Sequence, residues 1–588
     1  MLARLREGIT HAQAKSDLDR LARDLAREFP TQYRTREGGP RIATFEALPL
    51  RDAIVGTERS LLWLLLAGVA VLLLIACANT ALLLLARSLR RGREVAIRAT
   101  LGATRLRLIR QFLLEGVVLA ACGGTAGLLL SGWGARLLVA VLPARSPLLA
   151  SAHTDTRVIG FTLVISLISA IVFAIVPALK GSRGTPGPAL SAHAATREGN
   201  RWRHAIIALE AALSVFLLCG AGLVVQNLRA LISAPMGFDP SHVMVMRVKL
   251  PSLQENSLQW KARFAFQRYL EKIVGIPGVD SAATVTGPPL HPARAGPTEL
   301  VGVTDATGQL KSAIAYNHLV SPDYFRTLRI PLLAGRSFRD DDVAGRPRVT
   351  IVNQEFARRF GLGRDVVGKQ IFEPGEPFTI VGLVGDVRTQ GLRTAPVPEV
   401  YLSSLQFDWA NVYLLVRSSL PPAQLVKEVK RAIESTNADQ AVFDVTTMQE
   451  FIAGSLVGPR FQVFLIGAFA LLAVAMATAG MYSVVSFLVA QRTGEIAIRM
   501  ALGASGAAIV KAVLGTTSAW VMAGLAGGLG MGLAASRTLR SLTNTEAVGS
   551  LGMYAAVVLF FLAVTLAAAY LPARRATRLD LSEALRCE

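Results

Sequence analysis

Cysteine, charge and acidic residues are all in short supply. The 588 residues hold four cysteines, Cys77, Cys122, Cys219 and Cys587, and none lies between residues 236 and 460. That spacing fits no zinc or redox motif and excludes a disulfide framework. Three of the four fall inside apolar runs, where cysteine packs as a small hydrophobe. Charged residues make up 18% of the chain, below the roughly 25% of ordinary soluble domains. Catalytic signatures are missing too. There is no G-x-S-x-G elbow, and the seven histidines form no H-E-x-x-H or paired-ligand pattern. Residues 1–60 contain no apolar signal-peptide core.

What is present is apolar and basic. Hydrophobic residues account for 52% of the chain and the mean hydropathy is +0.44, which excludes a disordered polymer. Lys and Arg number 62 against 41 Asp and Glu, a net charge of +21. A pI near 10.5 by itself suggests a nucleic-acid surface, but the placement of the charge argues otherwise. Uncharged runs occur at 61–86, 116–135, 158–179, 461–490, 512–536 and 548–573. A seventh run, 205–227, carries one acid, Glu210, near its start. Each reaches the roughly 20 residues that span a bilayer. The loops between them then set the orientation. Residues 87–110 hold eight arginines and one acid, Glu94, whereas 141–157 holds only Arg145 and Arg157 with Asp155. The positive-inside rule puts 87–110, 180–204, 491–511 and the C-terminus in the cytoplasm, and 1–60 and 236–460 outside. The basic excess serves topology, and no nucleic-acid partner is expected.

Self-comparison finds an internal repeat. Residues 93–104 read REVAIRATLGAT and 494–505 read GEIAIRMALGAS, an offset of 401. Glu94, Arg98 and Gly102 pair with Glu495, Arg499 and Gly503. Glu and Arg four apart suit one helix face, and the glycine suits a helix stop. The same offset superposes Gly123 and Gly127 on Gly524 and Gly528, small-xxx-small faces that let spans approach closely. Pro177-Ala178 and Ala189-Leu190 match Pro572-Ala573 and Ala584-Leu585. Each copy is therefore three spans with an E-x-A-I-R-x-x-L-G-A loop between the first and second. Topology alone needs only charge there, so recurrence of seven identical positions points to a helix with a partner to meet. Within the spans, Asn79 is expected to bond across helices, and Glu115 and Glu210 to pair with Arg110 and Arg203 near the cytoplasmic face.

Residues 236–460 have ordinary soluble composition. Strand patterns at 244–250, 349–352, 378–384 and 412–416 alternate with helical patterns at 260–273, 354–360 and 422–435, predicting an α+β domain with its own core. An amphipathic helix is expected at 12–29. Gly363–Gln370 (GRDVVGKQ) imitates a phosphate loop, but Gln370 replaces the hydroxyl that would ligate magnesium, and a turn before a strand is the better reading. Asp340-Asp341-Asp342 lacks calcium-loop spacing and reads as a solvated turn.

These residues resemble a known family. The repeated loop, the order of spans, and the tail Leu571–Arg578 (LPARRATR) with Ala584-Leu585-Arg586 resemble MacB/FtsX-type ABC transporter permeases. Val320–Phe325 (VSPDYF), Ile330–Arg336 (IPLLAGR), Val352–Glu355 (VNQE), Ile380–Val387 (IVGLVGDV) and Pro398–Tyr401 (PEVY) resemble the MacB periplasmic core. The duplicated order resembles acidobacterial-type double permeases. The resemblance implies a polytopic α-helical membrane protein, about seven spans in two three-helix repeats, with a large α+β extracytoplasmic domain. It divides the chain into 1–60, the remnant of a first external domain; 61–180, the first three-span repeat; 181–204, a linker; 205–229, a span leading outward; 236–460, the periplasmic core; 461–573, the second repeat; and 574–588, a tail. Residues 3–29 resemble the closing helix of an earlier external domain, so the sequence is expected to begin partway through a longer permease. The resemblance also implies a dimeric cytosolic ATPase, docking at Glu94–Ala103 and Glu495–Ala504. No cofactor is expected on this chain itself; ATP and Mg²⁺ would act through that ATPase. Further implications are a periplasmic adaptor, self-association or a pseudo-dimer of the two repeats, and residence in the bacterial inner membrane. The alternative within the same fold is a non-transporting relay that activates a periplasmic enzyme.

Overall fold

A run of uncharged apolar residues satisfies its backbone polar groups internally only as a helix when water is absent, and the long runs of this chain form helices. The computed structural model describes residues 4–28, 49, 59–90, 105–141, 156–181, 192–249, 259–291, 298–304, 310–372, 377–407, 411–436, 441–491, 496, 498–500, 502–543 and 549–576. They fall into two units, one containing 231–456 and the other containing 57–230 with 457–588.

The helical unit comprises α2 (Arg59–Arg90), α3 (Arg105–Val141), α4 (Thr156–Gly181), α5 (Ala192–Ser233), α11 (Val457–Gln491), α12 (Gly506–Thr543) and α13 (Leu551–Ala576). Among the described residues, six of these are long and apolar enough to cross a membrane. The seventh run, at 158–179, lies within α4, of which Thr156–Ile168 forms a shorter apolar helix among those residues. A core cluster joins four helices: Ile207 and Val215 of α5, Val485 of α11, Leu525 of α12 and Phe561 of α13. A second cluster seats Ile75 of α2 against Leu213, Leu217, Ala470 and Ala473.

The other unit begins with α1 (His11–Glu28), one residue ahead of its expected start. Thr10 and Gln13 cap it reciprocally, Gln13 N–H to Thr10 Oγ1 and Thr10 N–H to Gln13 Oε1. The α+β domain follows in the order β1 (Val243–Lys249), α6 (Gln259–Val274), β2 (Val279–Val285), β3 (Thr298–Thr304), β4 (Leu310–Val320), α7 (Tyr324–Leu328), β5 (Leu332–Gly335), β6 (Val349–Asn353), α8 (Gln354–Arg359), β7 (Gln370–Phe372), β8 (Pro377–Val384), β9 (Glu399–Ser403), β10 (Asn411–Ser418), α9 (Pro422–Glu434), β11 (Val442–Thr447) and α10 (Met448–Ser455). All eleven strands join one mixed sheet. Six of them, β4, β3, β7, β8, β6 and β9, close on themselves because β9 also pairs with β4 in parallel. Every residue of β6 and β9 is buried, the pattern of strands covered on both faces. The other lobe sets α6 and α9 on β1, β2 and β10. There α9 buries Leu425, Val429 and Ile433 at four-residue spacing, a single helical stripe.

Candidate functional site

The second copy of the repeated loop is a stop-and-restart device. Residues 498–500 form a helical turn that ends at Gly503, whose φ is +92°. Gly503 N–H bonds the Met500 carbonyl at 3.0 Å and Ala504 N–H reaches the Arg499 carbonyl at 2.9 Å, the paired closure of a Schellman motif. Only glycine adopts that φ without strain. Ser505 Oγ then accepts from Ala508 N–H at 3.3 Å and starts α12. Thr104, another capping residue, stands at the equivalent place in the first copy. Ile496 and Ile509 are buried together against Val489 and Met500, which fixes the turn to α11 and α12. On the opposite side Ile498 is 53% and Leu502 83% exposed. They are four residues apart, so they form one apolar knob, and Arg499 beside them is exposed. Glu94, Arg98, Gly102 and Glu495 lie outside the described residues.

The glycine faces of the two repeats differ. A Cβ on Gly524 would meet the Ala208 carbonyl oxygen and stand 2.7 Å from Ala211 Cβ; on Gly528 it would stand 2.8 Å from Val215 Cβ. Gly532 continues the stripe against Cys219 at 2.9 Å. These glycines let α12 lie on the small-residue ridge of α5. At Gly123 and Gly127 a Cβ would meet nothing within 4 Å, and Gly124 instead faces Ser166 Oγ of α4 at 3.4 Å. Among the described residues, close packing is seen at Gly524 and Gly528 and not at Gly123 and Gly127. The second repeat has α5 beside it; among the described residues, α3 meets no such ridge on that face.

Between repeats, equivalent residues meet. Phe469 lies 401 residues after Gly68, and its ring crowds Gly68, 2.9 Å from where a Cβ would stand. Gly480 lies 401 residues after Asn79, and Asn79 Oδ1 crowds Gly480 in the same way. Asn79 Nδ2 also donates to the Met476 carbonyl at 2.9 Å, the cross-helix bond expected of it. Glu210 joins this point, with Oε2 2.6 Å from the same Cβ position on Gly480. Among the described residues its Oε1 has no hydrogen-bond partner. The side chains of Arg203 and Glu115 lie outside the described residues.

In the α+β domain the quoted motifs form buried joints. Asn353 closes β6 and caps α8: its Oδ1 accepts from Phe356 N–H at 3.0 Å and Glu399 N–H at 2.9 Å, and its Nδ2 donates to the Val397 carbonyl at 2.8 Å. Asp386 Oδ1 accepts from Glu355 N–H at 2.7 Å. Burial first, then the neighbouring carboxylates of Glu355 and Glu399, raises the Asp386 carboxyl above its ordinary value. Glu399 is fully buried and accepts from the hydroxyls of Thr389 and Tyr401.

The aspartate run is only partly a solvated turn. Asp342 is 7% exposed and takes both Arg336 Nη atoms, at 2.7 and 2.9 Å, plus Arg339 N–H at 2.8 Å. The adjacent guanidinium draws it inward while Asp340 and Asp341 stay exposed. No group of three or more metal-binding side chains occurs among the described residues. The phosphate-loop imitation is a short 3₁₀ turn, Gly363–Val366, between α8 and β7; it lacks the strand before and helix after that a phosphate cradle needs.

Asp239 gives a second such pair, bonding Arg329 at 2.9 Å and Arg417 at 3.3 Å. Burial works against ionisation of Asp239 and Asp342. The hydrogen bonds and guanidinium charges around them prevail, holding both carboxyls below the ordinary 3.8. Their stabilisation is complete above that value and is lost as pH falls through the depressed values. The α+β domain is therefore expected to lose thermal stability on acidification below about pH 4. Asp342→Asn should blunt that loss while costing about 1.5–3 kcal/mol at pH 7. Circular-dichroism melts from pH 3 to 7 check both outcomes.

The sequence matches the MacB-like periplasmic core domain over residues 205–435 and the FtsX-like permease C-terminal domain twice, over 66–186 and 467–581. The chain belongs to the MacB/FtsX-type ABC transporter permeases. The two FtsX-like matches coincide with the two copies of the repeat. Among relatives, the uncharacterized ABC transporter permease YknZ of Bacillus subtilis is 25% identical over 276 residues, covering 46% of this chain and 69% of that protein. The macrolide export ATP-binding/permease protein MacB 2 of Aeromonas hydrophila is 27% identical over 284 residues, covering 45% of this chain and 42% of the relative. The chain thus spans about two fifths of that MacB relative's length. The periplasmic region of MacB from Actinobacillus actinomycetemcomitans overlays 38% of this permease and 96% of its own chain, at 13% identity and a TM-score of 0.27; the family assignment rests on the sequence matches. Sequence reasoning missed the Ile498–Leu502 knob and the equivalent-residue seam. The offset of 401 carried the second signal, since it already paired Gly68 with Phe469 and Asn79 with Gly480.

Proposed function

We propose that this permease couples ATP hydrolysis by a separate cytosolic ATPase to movement of its extracytoplasmic domain, and so moves or extrudes a substrate outside the bilayer. The observation that carries this reading is the Ile498–Leu502 knob, an apolar pair left exposed on a turn that is otherwise fixed by burial and a Schellman closure. A loop that only joined two spans would be expected to bury or replace such residues. The knob fits a partner's apolar groove, with Arg499 beside it; in sequence, Glu495 precedes it and Glu94, Arg98 and Gly102 are the counterparts in the first copy. ATP and Mg²⁺ then act on the ATPase and not on this chain. Contact of equivalent residues across α2 and α11 supports a pseudo-dimer within one chain, each repeat taking one ATPase subunit. The positive loops support a cytoplasmic location for both docking turns in a bacterial inner membrane.

The test is co-purification with candidate cytosolic ABC ATPases. Wild-type permease is expected to retain its ATPase, and Glu94→Lys/Glu495→Lys to lose most of it. Equal recovery from the double variant would remove these turns as the docking elements.

A further inference from the structure

The α+β domain carries an open cleft of about 370 Å³, within the 300–1,000 Å³ of small-molecule sites. It lies between its two lobes, with α6 and β2 on one side and the segments following β4 and β9 on the other. Phe266, Leu270, Leu319, Leu405, Phe407 and Val412 give it an apolar floor. Its polar lining is of two kinds. Thr284, Ser321, Ser404 and Gln267 offer uncharged groups, and among the described residues every charged group in the lining is an acid: Glu271, Asp323 and Asp340.

That composition runs against the chain, whose net charge is +21. Asp323 shares its charge with Arg326 at 3.5 Å on an exposed edge. Glu271 and Asp340 make no ion pair among the described residues. The nearest lysine in sequence, Lys272, directs its Nζ to Ser435 Oγ at 2.9 Å. Phe407 already shows the preference of its ring, since the Arg348 guanidinium stacks 5.2 Å from its centroid. An apolar floor with two carboxylates at the rim that pair with no cation among the described residues favours one ligand chemistry, an aromatic or aliphatic body carrying a positive charge. An anion of the same shape would be repelled.

We infer that this cleft binds small amphiphilic organic cations. The apolar body lies on Phe266, Leu405 and Phe407, and the cationic centre faces Glu271 and Asp340. The inference concerns the extracytoplasmic domain alone and stands whether or not an ATPase docks on the permease.

The test uses the full chain in nanodiscs without nucleotide, with tetraphenylphosphonium as the probe and tetraphenylborate as its anion of matching shape. Saturable phosphonium binding is expected by equilibrium dialysis against empty nanodiscs, with no saturable borate binding. Glu271→Lys/Asp340→Lys should weaken phosphonium binding at least about tenfold, because it turns attraction at the rim into repulsion. Both side chains are exposed and make no ion pair among the described residues, so this variant keeps the fold, which circular dichroism verifies. Phe407→Ala should weaken binding about three- to tenfold through lost ring contact. Glu428→Lys, on α9 and away from the cleft, should leave it unchanged. No saturable binding by the wild type overturns the inference. So does equal binding of the borate, or an equal response of the Glu428 and Glu271/Asp340 variants.

Discussion

Gly524→Leu/Gly528→Leu is expected to dismantle the helical unit, whereas Gly123→Leu/Gly127→Leu leaves it nearly untouched. The offset that aligns the repeats treats the two pairs as equals, so the contrast comes from the packing. At Gly524 and Gly528 a new side chain starts on the α5 backbone and on Val215 Cβ, and neither can move without shifting the cluster of Ile207, Val485, Leu525 and Phe561. Overpacking costs about 1–3 kcal/mol per site and more where backbone is struck, so the pair loses roughly 2–6 kcal/mol. At Gly123 and Gly127 no described residue lies within 4 Å of where a Cβ would stand, and leucine is the better helix former by about 1 kcal/mol per residue. Thermal midpoints in detergent should fall sharply for the first pair and stay level or rise for the second. Equal loss in both would show that α3 meets a ridge like that of α5.

The second large effect concerns Ile498→Glu/Leu502→Glu. Both residues are exposed, so the permease should fold as before while its knob becomes acidic. Burying an Ile and a Leu contributes about 1.5–3 kcal/mol each, and a hundredfold or greater loss of ATPase affinity follows at that turn. The first copy of the repeated loop, with Arg98 and Gly102, is unaltered, so one of two ATPase subunits should remain. Loss of both, with the fold intact, would mean that the subunits bind only as a pair. Loss of neither would show that the knob serves another partner.

The spans and the repeat were legible because they rest on hydropathy and recurrence, which survive any detail of packing. The α+β core was legible for the same reason, strand and helix patterns at 349–352, 378–384 and 422–435 matching β6, β8 and α9 within a residue or two. What escaped depends on which surfaces meet. A glycine stripe does not announce whether a ridge such as Ala208–Ala211–Val215 lies opposite. Asp342 reads as one of three solvated acids until Arg336 is seen to fold back on it. The cleft draws Phe266, Leu319, Phe407 and Val412 from points up to 146 residues apart, and no local pattern joins them. Ile498 and Leu502 look like ordinary apolar positions in sequence; only the burial of Ile496 and Ile509 shows which side of the turn is left over.

The central claim is that one chain presents two equivalent docking turns to a separate ATPase. Native mass spectrometry of the permease purified with its ATPase measures this most directly. Two ATPase subunits per single permease chain is the expected result, falling to one with Ile498→Glu/Leu502→Glu. A complex holding one ATPase per chain in the wild type, or a count unchanged by that variant, would contradict the account.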